Sequence, residues 1–295
     1  MNKRIYILVI VLMLTSSIFG QFIGRDHLSV SLFYLQKTEL DSAKKYIDLA
    51  VEDETLNMTA KSWYYKGYIY KDLYKAREKS NKTSPLRLSS IKAFKKMLTL
   101  EGKEEFFTSA SKILKYEAST LYNDAARMLD PENYKLAESN YVMFKKAMLL
   151  ADSTINLKSR DVKFKLALAS MLNRPSETDD EIGSAQSVLV QELYLEVLVL
   201  DENNPAANYN LAILYYNDAA DVINNIDYDI DLIELDKIQD YCTETFLESL
   251  PYMLKSYNLQ YKPKETLVGL SNIYYGLNDM EKSELYKKEL EGMEK

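Results

Sequence analysis

Three segments far apart in the chain repeat one order of side chains: a large residue, a small one four positions on, and a tyrosine three beyond that. They are Trp63, Gly67, Tyr70; Asn208, Ala212, Tyr215; and Leu267, Ser271, Tyr274. Steps of four and three keep all three side chains on one face of an α-helix, and the small residue marks where a neighbouring helix comes close. At the two ends of the chain a second helix is legible after the first. Val30, Ser31 and Tyr34 are followed by Leu40, Ala43, Ile47 and Ala50; Leu270, Ser271 and Tyr274 are followed by Met280, Ser283 and Tyr286. From Tyr34 to Ala43 is nine positions, and from Tyr274 to Ser283 is also nine. The unit is therefore helix, short turn, helix. Composition agrees: 8 Gly and 6 Pro in 295 residues are too few for the turns of a sandwich or barrel. No two glycines stand in the G-x-G spacing of a dinucleotide-binding turn.

This pattern resembles the tetratricopeptide repeat, a helix-turn-helix of about 34 residues that buries its apolar face only by stacking on its neighbours. In that register, units start near Gly24, Ala60, Arg160, Pro205 and Lys264. One more ends around Leu150 and carries Tyr134, Ala137, Tyr141 and Phe144 at second-helix spacing. The fold expected is all-α: a right-handed α-solenoid of tetratricopeptide helix-turn-helix repeats with long helical insertions, about six repeats over residues 21–295. Lys66 departs from the pattern, standing where an apolar residue is usual, and most of the closing prolines are missing. Tyr70 to Ala93 spans 23 positions and Tyr215 to Ser249 spans 34, which puts insertions near 71–88 and 218–245. Asn208–Asn217, Leu250–Lys255 and Asn272–Tyr275 also look like periplasmic or envelope tetratricopeptide proteins of Gram-negative bacteria. That likeness implies a non-catalytic scaffold or adaptor holding an unidentified peptide or protein.

An address precedes the repeats. Lys3 and Arg4 are followed by an apolar run from Ile5 to Leu14 and by Gly20 before Gln21, the layout of a secretory signal peptide over residues 1–20. Ile5 to Gly20 is too short to span a bilayer, so no transmembrane segment is expected once the signal is removed. The product is expected to be exported: periplasmic or secreted, with association at the outer membrane or with envelope complexes as a variant. Removing Lys3 and Arg4 leaves 35 basic against 44 acidic residues, a net charge of −9 and a poor match to nucleic acid. One His (His27) and one Cys (Cys242) exclude a two-His metal site, an internal disulfide and most nucleophile–base pairs, so no catalytic residue, metal site or cofactor is assigned.

The resemblance implies that exposed side chains of the first helices line the concave binding face. Those positions fall on Tyr64, Tyr68 and Lys71 in the second repeat, with Lys61 and Asp72. In the fifth they fall on Tyr209, Ile213, Tyr216 and Asn217, and in the sixth on Asn272 and Tyr275, with Val268. Tyrosine offers rigid amphipathic area for a partner, and also packs well between helices. In the first repeat the same positions are Leu28, Leu32 and Leu35, whose apolar character argues against a carboxylate clamp. The alternative is small-ligand or cation binding through the acidic insertion 218–248, which holds ten acids and only Lys237 as a base. Asp227, Asp229 and Asp231 are spaced like the start of a calcium loop. Leu232 and Ile238, however, occupy the places where such a loop needs Gly and Glu.

Overall fold

The computed structural model describes residues 26–173, 180–227 and 229–293, so the expected signal peptide, residues 1–20, lies outside the described residues. Twelve α-helices are present among them: α1 (His27–Gln36), α2 (Leu40–Glu52), α3 (Ala60–Leu73), α4 (Pro85–Met97), α5 (Glu104–Arg127), α6 (Tyr134–Ala151), α7 (Lys158–Leu172), α8 (Asp180–Leu200), α9 (Pro205–Asn224), α10 (Leu232–Asn258), α11 (Pro263–Gly276) and α12 (Met280–Met293). No strand occurs among the described residues. Consecutive helices pair as α1/α2, α3/α4, α5/α6, α7/α8, α9/α10 and α11/α12. The starts at Ala60, Pro205 and Pro263 follow the sequence register closely. The architecture is all-α and built of stacked helix pairs, as the spacing requires.

Helix starts have local causes. Asp26, Thr59, Ser84, Asn204 and Asp231 each accept the backbone N–H three residues ahead, at 2.6–3.3 Å, and Pro85, Pro205 and Pro263 sit in the first turn. A capping oxygen and a proline address the same problem, the N–H groups that a helix start leaves without partners. The nine-residue spacing also has a cause. Thr38 (φ 59°) and Asn278 (φ 58°) both take the left-handed conformation. The next residue then donates back into the helix just ended, Glu39 to the Tyr34 carbonyl at 3.0 Å and Asp279 to the Tyr274 carbonyl at 2.8 Å. That is the helix-ending turn of the Schellman type, used identically in the first and last pairs.

The structure divides into two units. The first comprises residues 26–128 and 135–155, and the second residues 129–134 and 156–293. In the first unit α1 touches α3, and α3 touches α5, so first helices line up side by side. Its core gathers Leu28, Ala43, Ile47, Ala50, Ile69, Tyr70 and Leu73, with Leu32 and Leu35 packed against it. Leu28 is thus part of the core, and Leu32 and Leu35, half-buried, pack against it. In the second unit α9 touches α11, and the core gathers Ala212, Ala219, Cys242, Phe246, Met253, Leu270, Ile273 and Tyr274.

Serine hydroxyls tie the pairs together at the close approaches. Ser31 donates to the Ala43 carbonyl at 2.8 Å, Ser90 to Gly67 at 2.8 Å, Ser111 to Ala151 at 2.7 Å and Ser249 to Ala212 at 2.7 Å. Ser271 and Ser283 exchange such bonds at 3.0 and 2.8 Å. Except for Ala151, the acceptors are carbonyls of the small residues that the spacing singled out, which only a short side chain leaves open. Lys66 is also accounted for. Its ammonium pairs with Asp48 at 3.0 Å and lies over the Trp63 and Tyr70 rings. Tyr70 donates to the same Asp48 at 2.9 Å.

Both insertions are helical in large part. α3 runs on into one π-helical turn, Tyr74–Glu78, before the loop 79–84. α9 continues to Asn224, and α10 begins at Leu232. The extension stays packed out to Ala219 and Cys242, and Tyr241 donates to Asp218 at 2.6 Å.

Candidate interaction surfaces

On α3, Tyr64 is half-buried. Its ring stacks on Phe106 at 4.8 Å and meets Tyr65, Phe94 and Tyr68 at 5.1, 6.1 and 6.3 Å. Burial raises the titration of its hydroxyl above the ordinary range. Tyr68 is half-buried beneath the Lys71 ammonium, which lies 4.0 Å from its ring centre. Lys71 is only 11% exposed at its side chain and reaches Asp72 at 2.5 Å. These residues do come together, as a packed aromatic and ionic cluster whose open surface is small.

On α9, Tyr209 packs edge-on against Tyr261 at 5.8 Å, and Lys262 caps its ring at 4.5 Å. Tyr216 leans on Phe246 at 5.8 Å, and Ile213 packs against the same core, while Asn217 is exposed. On the adjacent α11 the open side chains are Val268, Asn272 and Tyr275, the last 66% exposed. Positions 268, 272 and 275 follow steps of four and three, so they share one face. Asn272 and Tyr275 line a cleft of about 700 Å³ with Ser271, Met280, Ser283 and Lys287. In the second unit the expected positions thus lie on two touching helices, α9 contributing two half-buried tyrosines and α11 one open tyrosine with Val268 and Asn272.

The acidic insertion uses its aspartates for backbone work. Asp227 accepts the Asp229 N–H at 3.1 Å and Asp231 caps α10 through the Glu234 N–H at 2.8 Å. Among the described residues no group of three or more His, Cys, Asp or Glu is arranged to hold a metal ion. No helix among them is long and apolar enough to cross a membrane.

The sequence reading missed a buried ionic cluster in the first unit. Arg87 is 1% exposed and bonded to Asp124, and Glu117 is wholly buried beside it. Single charged residues thirty positions apart carry no periodic signal. The sole hint was Ser84-Pro85, a helix start that fixes where Arg87 points.

No family model matches the chain, and no curated protein matches it. Among solved structures, a similar chain is described as "The hypoxic regulator of sterol synthesis Nro1 is a nuclear import adaptor". It shares 15% identity, with a TM-score of 0.29, over 92% of this chain and 85% of that one. A likeness at that level says nothing of what this chain binds.

Proposed function

We propose that the chain is a non-catalytic, tetratricopeptide-type interaction scaffold, exported to a bacterial cell envelope by residues 1–20, where it holds a protein or peptide against the faces of its first helices. The observation that carries this reading is the division of labour on α11. Leu270 and Ile273 are fully buried and supply the core, while Tyr275 stands 66% exposed beside exposed Asn272 and Val268. The fold gains little from an open tyrosine there, whereas a partner would gain rigid amphipathic area. The half-buried Tyr209, Ile213 and Tyr216 on the adjoining α9 then shape and stiffen that surface, with Asn217 at its rim. In the first unit Tyr64, Tyr68 and Lys71 on α3 offer a separate face of the same kind.

The test is capture from crosslinked envelope extract with wild type and an Asn272→Ala/Tyr275→Ala variant. These two side chains are exposed, so the variant is expected to keep wild-type stability. A partner retained by wild type and lost by the variant supports the reading. Equal capture by both would move the site off α11, and no specific partner would count against a scaffold.

A further inference from the structure

Arg87 on α4 holds four groups from three elements. Its Nη1 donates to Asp124 at 2.7 Å, to the Thr120 hydroxyl at 3.0 Å and to the Tyr74 hydroxyl at 3.2 Å. Its Nη2 donates to the Lys82 carbonyl at 2.7 Å, while Nε has no partner. Glu117 on α5 is wholly buried, and neither carboxyl oxygen has a hydrogen-bond partner. Ser90, its polar neighbour on α4, spends its hydroxyl hydrogen on the Gly67 carbonyl. The charged and titratable groups around it are Lys71 on α3, Tyr74 on the π-turn, Arg87 on α4, and Tyr116 and Asp124 on α5; Lys75 lies over the Tyr116 ring. A carboxylate without hydrogen bonds in such a place is held neutral. Burial pushes its titration up to about 8, against smaller opposing effects of Ser90, Arg87 and Lys71.

The same guanidinium anchors the second repeat's insertion. Within that loop the Asn81 N–H donates to the Glu78 carbonyl at 2.8 Å, the Ser84 N–H to Asn81 at 3.3 Å, and the Ser84 hydroxyl to the Glu78 carboxylate at 2.6 Å. Arg87 supplies the tie from the buried interior to the loop, through the Lys82 carbonyl. Arg87 Nε and both Glu117 carboxyl oxygens, unsatisfied and of opposite character, thus lie in one buried cluster, and the same guanidinium holds the loop.

We propose that Glu117 is a proton-operated latch on the insertion 74–84. While neutral, it leaves Arg87 to Asp124 and to the Lys82 carbonyl. On losing its proton to solvent, it competes for the guanidinium through the unengaged Nε and draws Nη2 off the Lys82 carbonyl, loosening the loop. This does not depend on the scaffold reading.

Hydrogen exchange of the full chain between pH 6.5 and 9.5, corrected for intrinsic rates, tests it. Peptides covering 79–84 should lose protection at least several-fold around pH 8 in the wild type, and Glu117→Gln should hold them protected throughout. Wild-type protection that does not change with pH, or an unchanged profile in Glu117→Gln, would overturn the proposal. Should that variant fail to fold, the ¹³C carboxyl resonance of Glu117 in the wild type decides. Loop protection lost with the same midpoint as that titration supports the latch; loop protection that does not follow it, or titration near the ordinary carboxylate value, overturns it.

Discussion

A methyl group added at Gly67 would lie 2.7 Å from Cζ of Phe94, a ring that is itself wholly buried. At Gly269 the nearest atom is the terminal methyl of Met253, at 2.5 Å. A buried ring cannot step aside, whereas a methionine end can turn. Gly67→Ala should therefore lose about 1–3 kcal/mol. Gly269→Ala should stay within about 1 kcal/mol of wild type, because the helix preference for alanine offsets the crowding. Urea unfolding of both variants checks the contrast. Glu117 gives a pH prediction of definite sign. Its titration is raised from 4.5 to about 8 on folding, so between those values the folded chain holds the proton that the unfolded chain has lost. Stability contributed by this group falls as pH rises through that window, by about 1.4 kcal/mol per unit, and levels off above it. Glu117→Gln should remove this slope, so its advantage over wild type should be larger at pH 8.5 than at pH 5.5. An equal difference at both would contradict the assignment.

At the scale of elements, the most legible feature was the spacing that a shared turn imposes. Tyr34 to Ala43 and Tyr274 to Ser283 match because Thr38 and Asn278 close their helices with the same left-handed residue. Threonine is a poor occupant of that conformation, being β-branched. Thr38→Gly should stabilise the chain by about 1 kcal/mol, while Asn278→Gly should change little, since asparagine tolerates the conformation. The small residues were legible too, although only the structure shows why serine recurs at the crossings: its hydroxyl reaches a carbonyl of the facing helix. Ser249→Ala should cost about 1 kcal/mol, the net worth of one such bond. Thermal melts of the three variants would rank them. The third pair was the hardest to place from sequence, and Tyr64 shows the consequence. α5 brings Phe106 onto a ring that repeat position alone assigned to the open face. Periodicity reports which face of a helix is apolar and is silent on which later helix covers it.

Across the whole molecule, the first, second, fifth and sixth helix pairs followed from spacing, the third and fourth only from weaker matches in the same register, and the ionic cluster of Arg87, Asp124 and Glu117 from neither. That cluster depends on three helices meeting, a relation that no local pattern encodes. The division into two units of three pairs each was equally hidden, because the repeat pattern runs through both. Export is a separate expectation of the N-terminal residues, and sequencing the mature protein from its cell should give Gln21 first; a start at Met1 would contradict it. The scaffold reading itself rests on α11 presenting an open tyrosine over a finished core. Its most direct test is a photocrosslinking residue placed at Tyr275 in the native cell, compared with one at Lys92, exposed on the second helix α4. A discrete adduct from position 275 and none from position 92 is the result predicted. Adducts from 92 alone, or from neither, would contradict a partner held on the first-helix face.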